Sequence, residues 1–374
     1  MIGKPVSTEP GEKIAQTDVE TYYHLTAEAL DARILAAKAR LGNRMLLLGH
    51  NYQRDEVFKF ADETGDSLKL SQCAAQRRDR EFIVFCGVKF MAETADILTD
   101  KDQKVILPDL AAGCSMADMA DIDSVSTAWS ELTAVIGESD ITPITYINSS
   151  ADLKAFCGER NGLVCTSTNA KKIIEWAFSQ RPKILFFPDQ HLGRNTCKRM
   201  GIPLSEMILW DPALPNGGNT PEAIRGARVI LWKGFCSVHQ MFQPEHVDFF
   251  RSKYPGIRVI VHPECSMEVA DQSDLMGSTE YIIRTVTDSP AGSKWVVGTE
   301  LHLVNRLKRD NPDKEVHFLS PMVCMCSTMF RIDAPHLLWS LENLEAGRVV
   351  NQIIVSDEDK YWAKIALERM LNLA

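Results

Sequence analysis

Three cysteines carry the clearest chemical signal in this sequence, because each follows a short apolar run at the same point of a repeated pattern. They are Cys114 in KVILPDLAAGCSMADM, Cys236 in RVILWKGFCSVHQMF and Cys326 in EVHFLSPMVCMCSTMF. Three thiolates that converge repel one another unless a metal neutralises their charge. The pattern therefore predicts a metal site that takes one cysteine from each of three chain segments.

Two kinds of metal centre fit three such cysteines. Zinc with a bound water is one, but structural zinc sites usually draw on Cys-x-x-Cys pairs, which are missing here. A 4Fe-4S cluster fits better, since its corner-to-corner axis is threefold and three cysteines would leave one iron open. An open iron binds a substrate oxygen and acts as a Lewis acid in dehydration. Cys324 competes with Cys326 for the third position; the repeat favours Cys326, which precedes a serine as Cys114 does.

The elements that position these cysteines form a threefold repeat of strand–helix units. The first unit of each repeat runs a strand into a polar tip, as in RMLLLGHNYQRDEV, TPITYINSSADLK and RVIVHPECSMEVA. A second unit has a hydroxyl at its tip (Ser67, Ser167 or Thr279), a third follows, and the fourth carries the cysteine. Strands and helices that alternate at intervals of about 20 residues indicate parallel βαβ units. We predict an α/β fold of three homologous three-layer αβα domains with parallel sheets in a pseudo-threefold arrangement.

The repeat divides the chain into five predicted segments. They are an N-terminal helical segment (1–41), three α/β repeats (42–125, 126–245 and 246–340) and a C-terminal helical segment (341–374). The second repeat contains a surplus near 198–226 that is rich in proline and glycine, which predicts a surface loop with a short helix. We expect this surplus to be a passive insertion and not a cover for the site, and both terminal segments to pack outside the sheets.

Composition and charge exclude several classes of protein. The chain has 374 residues, 45% of them apolar, and a net charge of -9, which argues against the broad basic surface that nucleic-acid binding needs. The N-terminus lacks the apolar region of a signal peptide, and no uncharged run is long enough to span a bilayer, so we expect a cytoplasmic protein without a membrane partner. A Rossmann dehydrogenase is disfavoured because no G-x-G-x-x-G follows a strand.

The motifs together resemble one enzyme family. GHNYQ, GDSL, GVKFMAETA, GCSMADM, YINSSAD, PDQHLGR, WKGFCSVH, VHPEC and GSTEYI stand in the order and at the spacing found in quinolinate synthases, over roughly residues 45–335. The resemblance implies three homologous α/β domains around a 4Fe-4S cluster with one open iron. It also implies condensation of iminosuccinate with dihydroxyacetone phosphate to quinolinate, the precursor of NAD, with release of phosphate and water. The enzyme that makes iminosuccinate would then be a functional partner.

The resemblance also implies roles for particular residues. Cys114, Cys236 and Cys326 would hold the cluster. The substrate-binding positions would be His50, Ser67, Tyr146, Asn148, Ser167, His262, Glu264 and Thr279.

Residue chemistry adds a catalytic hypothesis. Histidine, tyrosine and a carboxylate of raised pKa can move protons near neutral pH. Glu264, beside His262, is the best general base, and Tyr52 and Tyr146 are expected to donate protons to leaving hydroxyls. His239 either reaches the site or faces the helix surface. The other histidines with no comparable setting are expected on the surface: His191, His246, His302 and His317.

Two other functions remain open at this stage. A zinc- or iron-dependent hydrolase or aldolase could use the same three thiolates, and the lack of acid-labile sulfide would reveal it. A non-catalytic sensor of a dicarboxylate or of a redox-labile cluster would need an exposed partner surface, and no run in the sequence supplies one. The many polar residues at the predicted tips favour an enzyme.

Overall fold

The strands follow the repeat pattern, with two additions. The computed structural model describes residues 16–322 and 325–373. In chain order its strands are Met45–His50 (β1), Glu63–Gly65 (β2), Phe82–Cys86 (β3), Lys104–Ile106 (β4), Ile141–Tyr146 (β5), Leu163–Cys165 (β6), Lys183–Phe187 (β7), Met207–Trp210 (β8), Val229–Trp232 (β9), Arg258–Val261 (β10), Leu275–Met276 (β11), Lys294–Gly298 (β12), Glu315–Phe318 (β13) and Gln352–Ile353 (β14).

Helices connect the strands and cover the sheets. In chain order the α-helices are Ala27–Leu41 (α1), Asp55–Phe58 (α2), Ser67–Gln76 (α3), Lys89–Leu98 (α4), Ile122–Ile136 (α5), Ala151–Glu159 (α6), Ala170–Gln180 (α7), Gln190–Arg199 (α8), Pro221–Gly226 (α9), Ser237–Gln240 (α10), Pro244–Lys253 (α11), Met267–Gln272 (α12), Thr279–Thr287 (α13), Leu301–Asp310 (α14), Ala334–Glu345 (α15) and Asp357–Leu373 (α16). Short 3-10 helices are Gln16–His24, Gly42–Arg44, Ala117–Met119, Glu138–Asp140, Leu204–Glu206, Pro215–Gly218 and Met329–Arg331. In the part of the chain that the structure describes, no helix combines the length and the apolar composition needed to cross a membrane.

Three separate sheets share one strand order. Their common cores are β2-β1-β3-β4, β6-β5-β7-β9 and β11-β10-β12-β13, and all pairs within these cores are parallel. Strands β1, β5 and β9 are buried along their whole length, as parallel strands are when helices cover both faces. The predicted α/β fold with three parallel sheets is confirmed. The limits predicted for the five segments remain a prediction.

Both additions to the repeat are edge strands. Strand β14 pairs antiparallel with β4 and lies outside the parallel core of the first sheet, so the segment 341–374 contains one short strand besides its helices. Strand β8 lies within the surplus 198–226 and pairs with β9 in parallel, with Trp210 opposite Trp232. The prediction of a surface loop with a short helix is therefore wrong in this respect. Each strand covers backbone groups that an open sheet edge would expose.

The terminal helices pack against helices of the domains. Residues 1–15 of the predicted N-terminal helical segment lie outside the described residues. Helix α1 packs on α15, where the Arg33 guanidinium donates to both carboxylate oxygens of Glu342, at 2.9 and 2.6 Å. Helix α16 packs mainly on α6 of the second domain, and the two backbones approach closely at Gly158.

We predict that Gly158→Ala weakens the packing of α16 on α6. A Cβ atom at this position would overlap the carbonyl oxygen of Trp362, and overpacking of this kind costs about 1–3 kcal/mol. The thermal unfolding midpoint should fall. Gly226→Ala is the matched control, because a Cβ atom on this helical glycine meets open space. Equal midpoints for the two variants would contradict the prediction.

Candidate active site

One cavity lies where the carboxyl ends of strands from the three sheets meet. Residues from all three domains line it. The cavity contains every site residue predicted from the sequence: His50, Tyr52, Ser67, Cys114, Tyr146, Asn148, Ser167, Cys236, His262, Glu264, Thr279 and Cys326. The surplus 198–226, which the structure describes in full, contributes no residue to the lining. The fold thus brings together residues that lie far apart in the sequence.

The three cysteines follow their strands less closely than the sequence suggested. Cys236 immediately precedes α10, whereas Cys114 and Cys326 lie in loops well beyond β4 and β13. Each sulfur nevertheless accepts a backbone N–H from the residue three positions on, which is Ala117, His239 or Met329. The same local turn therefore presents a thiol in each domain.

The thiols share one electrostatic environment. Burial raises the pKa of Cys114 to about 12 and that of Cys236 well above its usual value, and the charges of neighbouring cysteines raise both further. All three are free thiols. A bound cation reverses this balance and deprotonates the thiols that it binds. Cys324, the competitor of Cys326, lies outside the described residues, so the choice between them remains a prediction.

Two histidines at strand tips have fixed tautomers. The backbone N–H of Tyr52 donates to His50 Nδ1 at 3.2 Å, and the backbone N–H of Glu264 donates to His262 Nδ1 at 3.4 Å. Burial lowers the pKa of both histidines to about 3, so both rings are neutral near neutral pH. A neutral imidazole with an accepting Nδ1 carries its proton on Nε2. Each ring therefore offers one N–H donor, and both rings line the cavity.

Glu264 is a buried carboxylate with partners on both oxygens. The Tyr146 hydroxyl donates to Oε1 at 2.7 Å, and His239 Nδ1 lies 2.9 Å from Oε2. Burial by itself would raise the pKa of Glu264, but His262, His239 and the hydrogen bond from Tyr146 outweigh burial and lower it. The expectation of a catalytic carboxylate with a raised pKa is therefore wrong for this residue. Glu264 is ionised near neutral pH.

The hydroxyls at the second tips are not helix N-caps. Asp66 caps α3 by accepting from the backbone N–H of Lys69, and Ser278 caps α13 by accepting from that of Tyr281. Ser67 and Thr279 are the first residues of these helices, at the positive end of the helix dipole. Their hydroxyls are therefore not used to cap the helices, and both residues line the cavity.

His239 reaches the cavity and does not face the helix surface. Its side chain is 1% exposed, and its ring stacks on that of His262 with centroids 4.8 Å apart. The ligand atoms of Cys236, His239 and Glu264 lie within 4.8 Å of one another, which is close enough for a single metal ion. This second donor set shares Cys236 with the predicted trio.

The sequence prediction also missed residues in and around the cavity. Asp66 and Glu300 line it, and burial raises the pKa of Glu300 to about 7. Thr299 lies behind the lining and bonds to two cavity residues. Glu300 and Thr299 form the tip of the third unit in the third repeat, so the repeat itself could have identified them.

The surface prediction for four histidines is wrong for His191, which is buried. It is 8% exposed, and its Nε2 lies 2.9 Å from Oε1 of Gln240 in α10. The other three are half-buried: His246, His302 and His317.

Comparison with known proteins identifies the family to which the chain is similar. Residues 32–372 match the family model described as Quinolinate synthetase A protein. The quinolinate synthase of Rhodopirellula baltica is 54% identical in an alignment 389 positions long, which covers 99% of this chain and 99% of the relative. The quinolinate synthases of Nocardioides sp. and Herpetosiphon aurantiacus are 58% and 56% identical; the alignments cover 92% and 96% of this chain and 89% and 97% of the relatives. The resemblance found in the motifs is confirmed, and the chain belongs to the quinolinate synthase family.

Proposed function

We propose that the cavity between the three sheets is the active site of a quinolinate synthase. Iminosuccinate and dihydroxyacetone phosphate condense there to quinolinate, with release of phosphate and water. The observation that supports this proposal is the convergence of every predicted site residue, from three domains, on one cavity. A functional link to the enzyme that makes iminosuccinate is part of the proposal.

The donor set fits a 4Fe-4S cluster held by Cys114, Cys236 and Cys326. The three thiols line one cavity, and the backbone N–H groups that point at their sulfurs are the kind of donor that stabilises cluster sulfurs. Three ligands would leave one iron without a protein thiolate. When bound, such a cluster supplies a Lewis acid for dehydration.

The substrate groups are anionic, and the cavity offers donors to them. The Nε2–H groups of His50 and His262 stay neutral donors over the whole physiological range of pH, because burial holds their pKa values low. Ser67 and Thr279 add hydroxyls at the N-termini of α3 and α13, where anions are favoured. The buried Asn148 Oδ1 has no hydrogen-bond partner within the described ranges, and a ligand would provide one.

Glu264 is the proposed general base. It is ionised and lines the cavity, so it can accept a proton from the condensing substrates. The hydrogen bond from Tyr146 holds the carboxylate in place, and burial keeps the Tyr146 phenol neutral by raising its pKa well above the usual value. Tyr146 can therefore give its proton to a leaving hydroxyl and regain one from Glu264. These assignments are consistent with general acid–base catalysis at a water-poor site.

Metal analysis tests the cluster before any assay of activity. Protein purified without oxygen should contain about four iron and four acid-labile sulfide per chain and show a brown charge-transfer absorption. A single ion at Cys236, His239 and Glu264 would instead give one metal and no sulfide, as in the hydrolase or aldolase alternative. That result would contradict the proposed cluster.

We predict that Cys236→Ala yields a folded protein without a cluster. Removal of one of three ligands leaves two thiolates, so iron, sulfide and visible absorption should be lost together with quinolinate formation. Cys73→Ala is the matched control, since Cys73 is also a half-buried free thiol but does not line the cavity. A Cys236→Ala variant with full iron and sulfide would refute the three-ligand assignment.

We predict that Glu264→Gln keeps the cluster but loses turnover. The amide has the same shape but cannot take a proton, and general acid–base groups contribute about 10²–10⁴-fold to rates. Quinolinate formation should fall by a factor in this range while iron and sulfide stay at wild-type levels. Glu268→Gln, an exposed glutamate of α12, is the control and should be fully active. Undiminished turnover in Glu264→Gln would exclude Glu264 from the mechanism.

A further inference from the structure

A buried threonine connects two cavity residues that come from different domains. The Thr299 hydroxyl lies 2.7 Å from the Tyr52 hydroxyl and 3.3 Å from His239 Nε2. Thr299 directly follows β12, and its side chain is fully buried. It does not line the cavity, so it cannot act on the substrate by direct contact.

These contacts belong to one chain of polar groups. From Thr299 the chain passes through His239, whose Nδ1 lies 2.9 Å from Glu264 Oε2, and ends where the Tyr146 hydroxyl donates to Glu264 Oε1. The His239–Glu264 contact is short but bent, because the ring nitrogen does not point directly at the oxygen. This series of contacts joins Tyr52 of the first domain to Tyr146 of the second domain, through residues of the second and third domains.

The Thr299 hydroxyl can bond to both neighbours at once. A hydroxyl can donate one hydrogen bond and accept others, and the Tyr52 hydroxyl and His239 Nε2 both lie within hydrogen-bond distance of the same oxygen. Because the Thr299 side chain is fully buried, this bridge holds the Tyr52 phenol and the His239 ring in fixed positions relative to each other.

We propose that Thr299 is a positioning residue that holds the Tyr52 hydroxyl and the His239 ring in the orientation that the reaction needs. The inference rests on the proposed function, because it assumes that the substrate occupies this cavity. Burial, which raises the pKa of Tyr52 well above the usual value, keeps its phenol neutral.

Thr299→Val tests the proposal, because valine keeps the shape and removes the hydroxyl. Tyr52 and His239 would lose their common partner, and with it the contact that orients both side chains. We expect kcat to fall about 10- to 100-fold, as when an outer hydrogen-bond partner of a site residue is removed. KM should change little, since Thr299 does not touch the substrate. Thr299→Ser retains the hydroxyl and should recover most of the lost kcat.

The measurements use the cluster-containing enzyme prepared without oxygen, with steady-state quinolinate formation as the assay. Iron, sulfide and the thermal midpoint are measured for each variant. Thr142→Val is the matched control, since Thr142 is also buried and lies outside the cavity lining, but its hydroxyl has no hydrogen-bond partner in the described part of the chain. Should Thr299→Val unfold or lose iron, Thr299→Ala and Thr299→Ser provide a second pair that differs by one hydroxyl.

A double-mutant comparison shows whether Thr299 acts through Tyr52. The Thr299→Val change should cost less in a Tyr52→Phe enzyme than in the wild type, because the hydroxyl that it positions is already gone. Fully additive losses would overturn the proposal, as would equal kcat values for the serine and alanine variants or a Thr299→Val enzyme with wild-type kcat. A wild-type enzyme that forms no quinolinate would instead refute the proposed function, so the two failures are distinguishable.

Discussion

The burial of acidic groups in one cavity is the constraint on which the rest of the site depends. Glu264 and three thiols that must ionise to bind a metal lie close together and out of water. An isolated buried charge is costly unless hydrogen bonds or opposite charges compensate for it. For Glu264 the compensation comes from Tyr146 and His239, and for each sulfur it comes from the backbone of the turn that follows. The cavity is therefore arranged around acceptors, and the surrounding residues act mainly as donors.

The threefold repeat supplies these donors by the same local geometry. His50 and His262 occupy equivalent tips, and each is oriented by the backbone N–H two residues on. In the second repeat the equivalent position is Tyr146, which donates from its hydroxyl to Glu264. The repeat thus places a donor at each first tip. The third residue of each tip differs between repeats, as Tyr52, Asn148 and Glu264, so the repeat does not make the cavity chemically symmetric.

Residues identified by the repeat pattern could be predicted from the sequence, because strand tips of parallel sheets converge whatever their separation along the chain. The cysteines and the first and second tips belong to this class. Strands β8 and β14 do not, since each is short and forms only by pairing with a sheet edge that the local sequence does not contain. The lowered pKa of Glu264 also depends on partners from another domain. Thr299 can be recognised as part of the site only through its contacts with Tyr52 and His239, which the local sequence does not contain.

The hydrogen-bond chain also bears on which donors are available to a metal. Glu264 Oε1 accepts from Tyr146, Glu264 Oε2 lies 2.9 Å from His239 Nδ1, and His239 Nε2 lies 3.3 Å from the Thr299 hydroxyl. A metal ion held by Cys236, His239 and Glu264 would compete with one of these contacts of the imidazole. Each of the three thiol sulfurs accepts a backbone N–H, and donors of this kind also stabilise a sulfur that is bound to iron. This difference is an argument for the proposed ligands Cys114, Cys236 and Cys326.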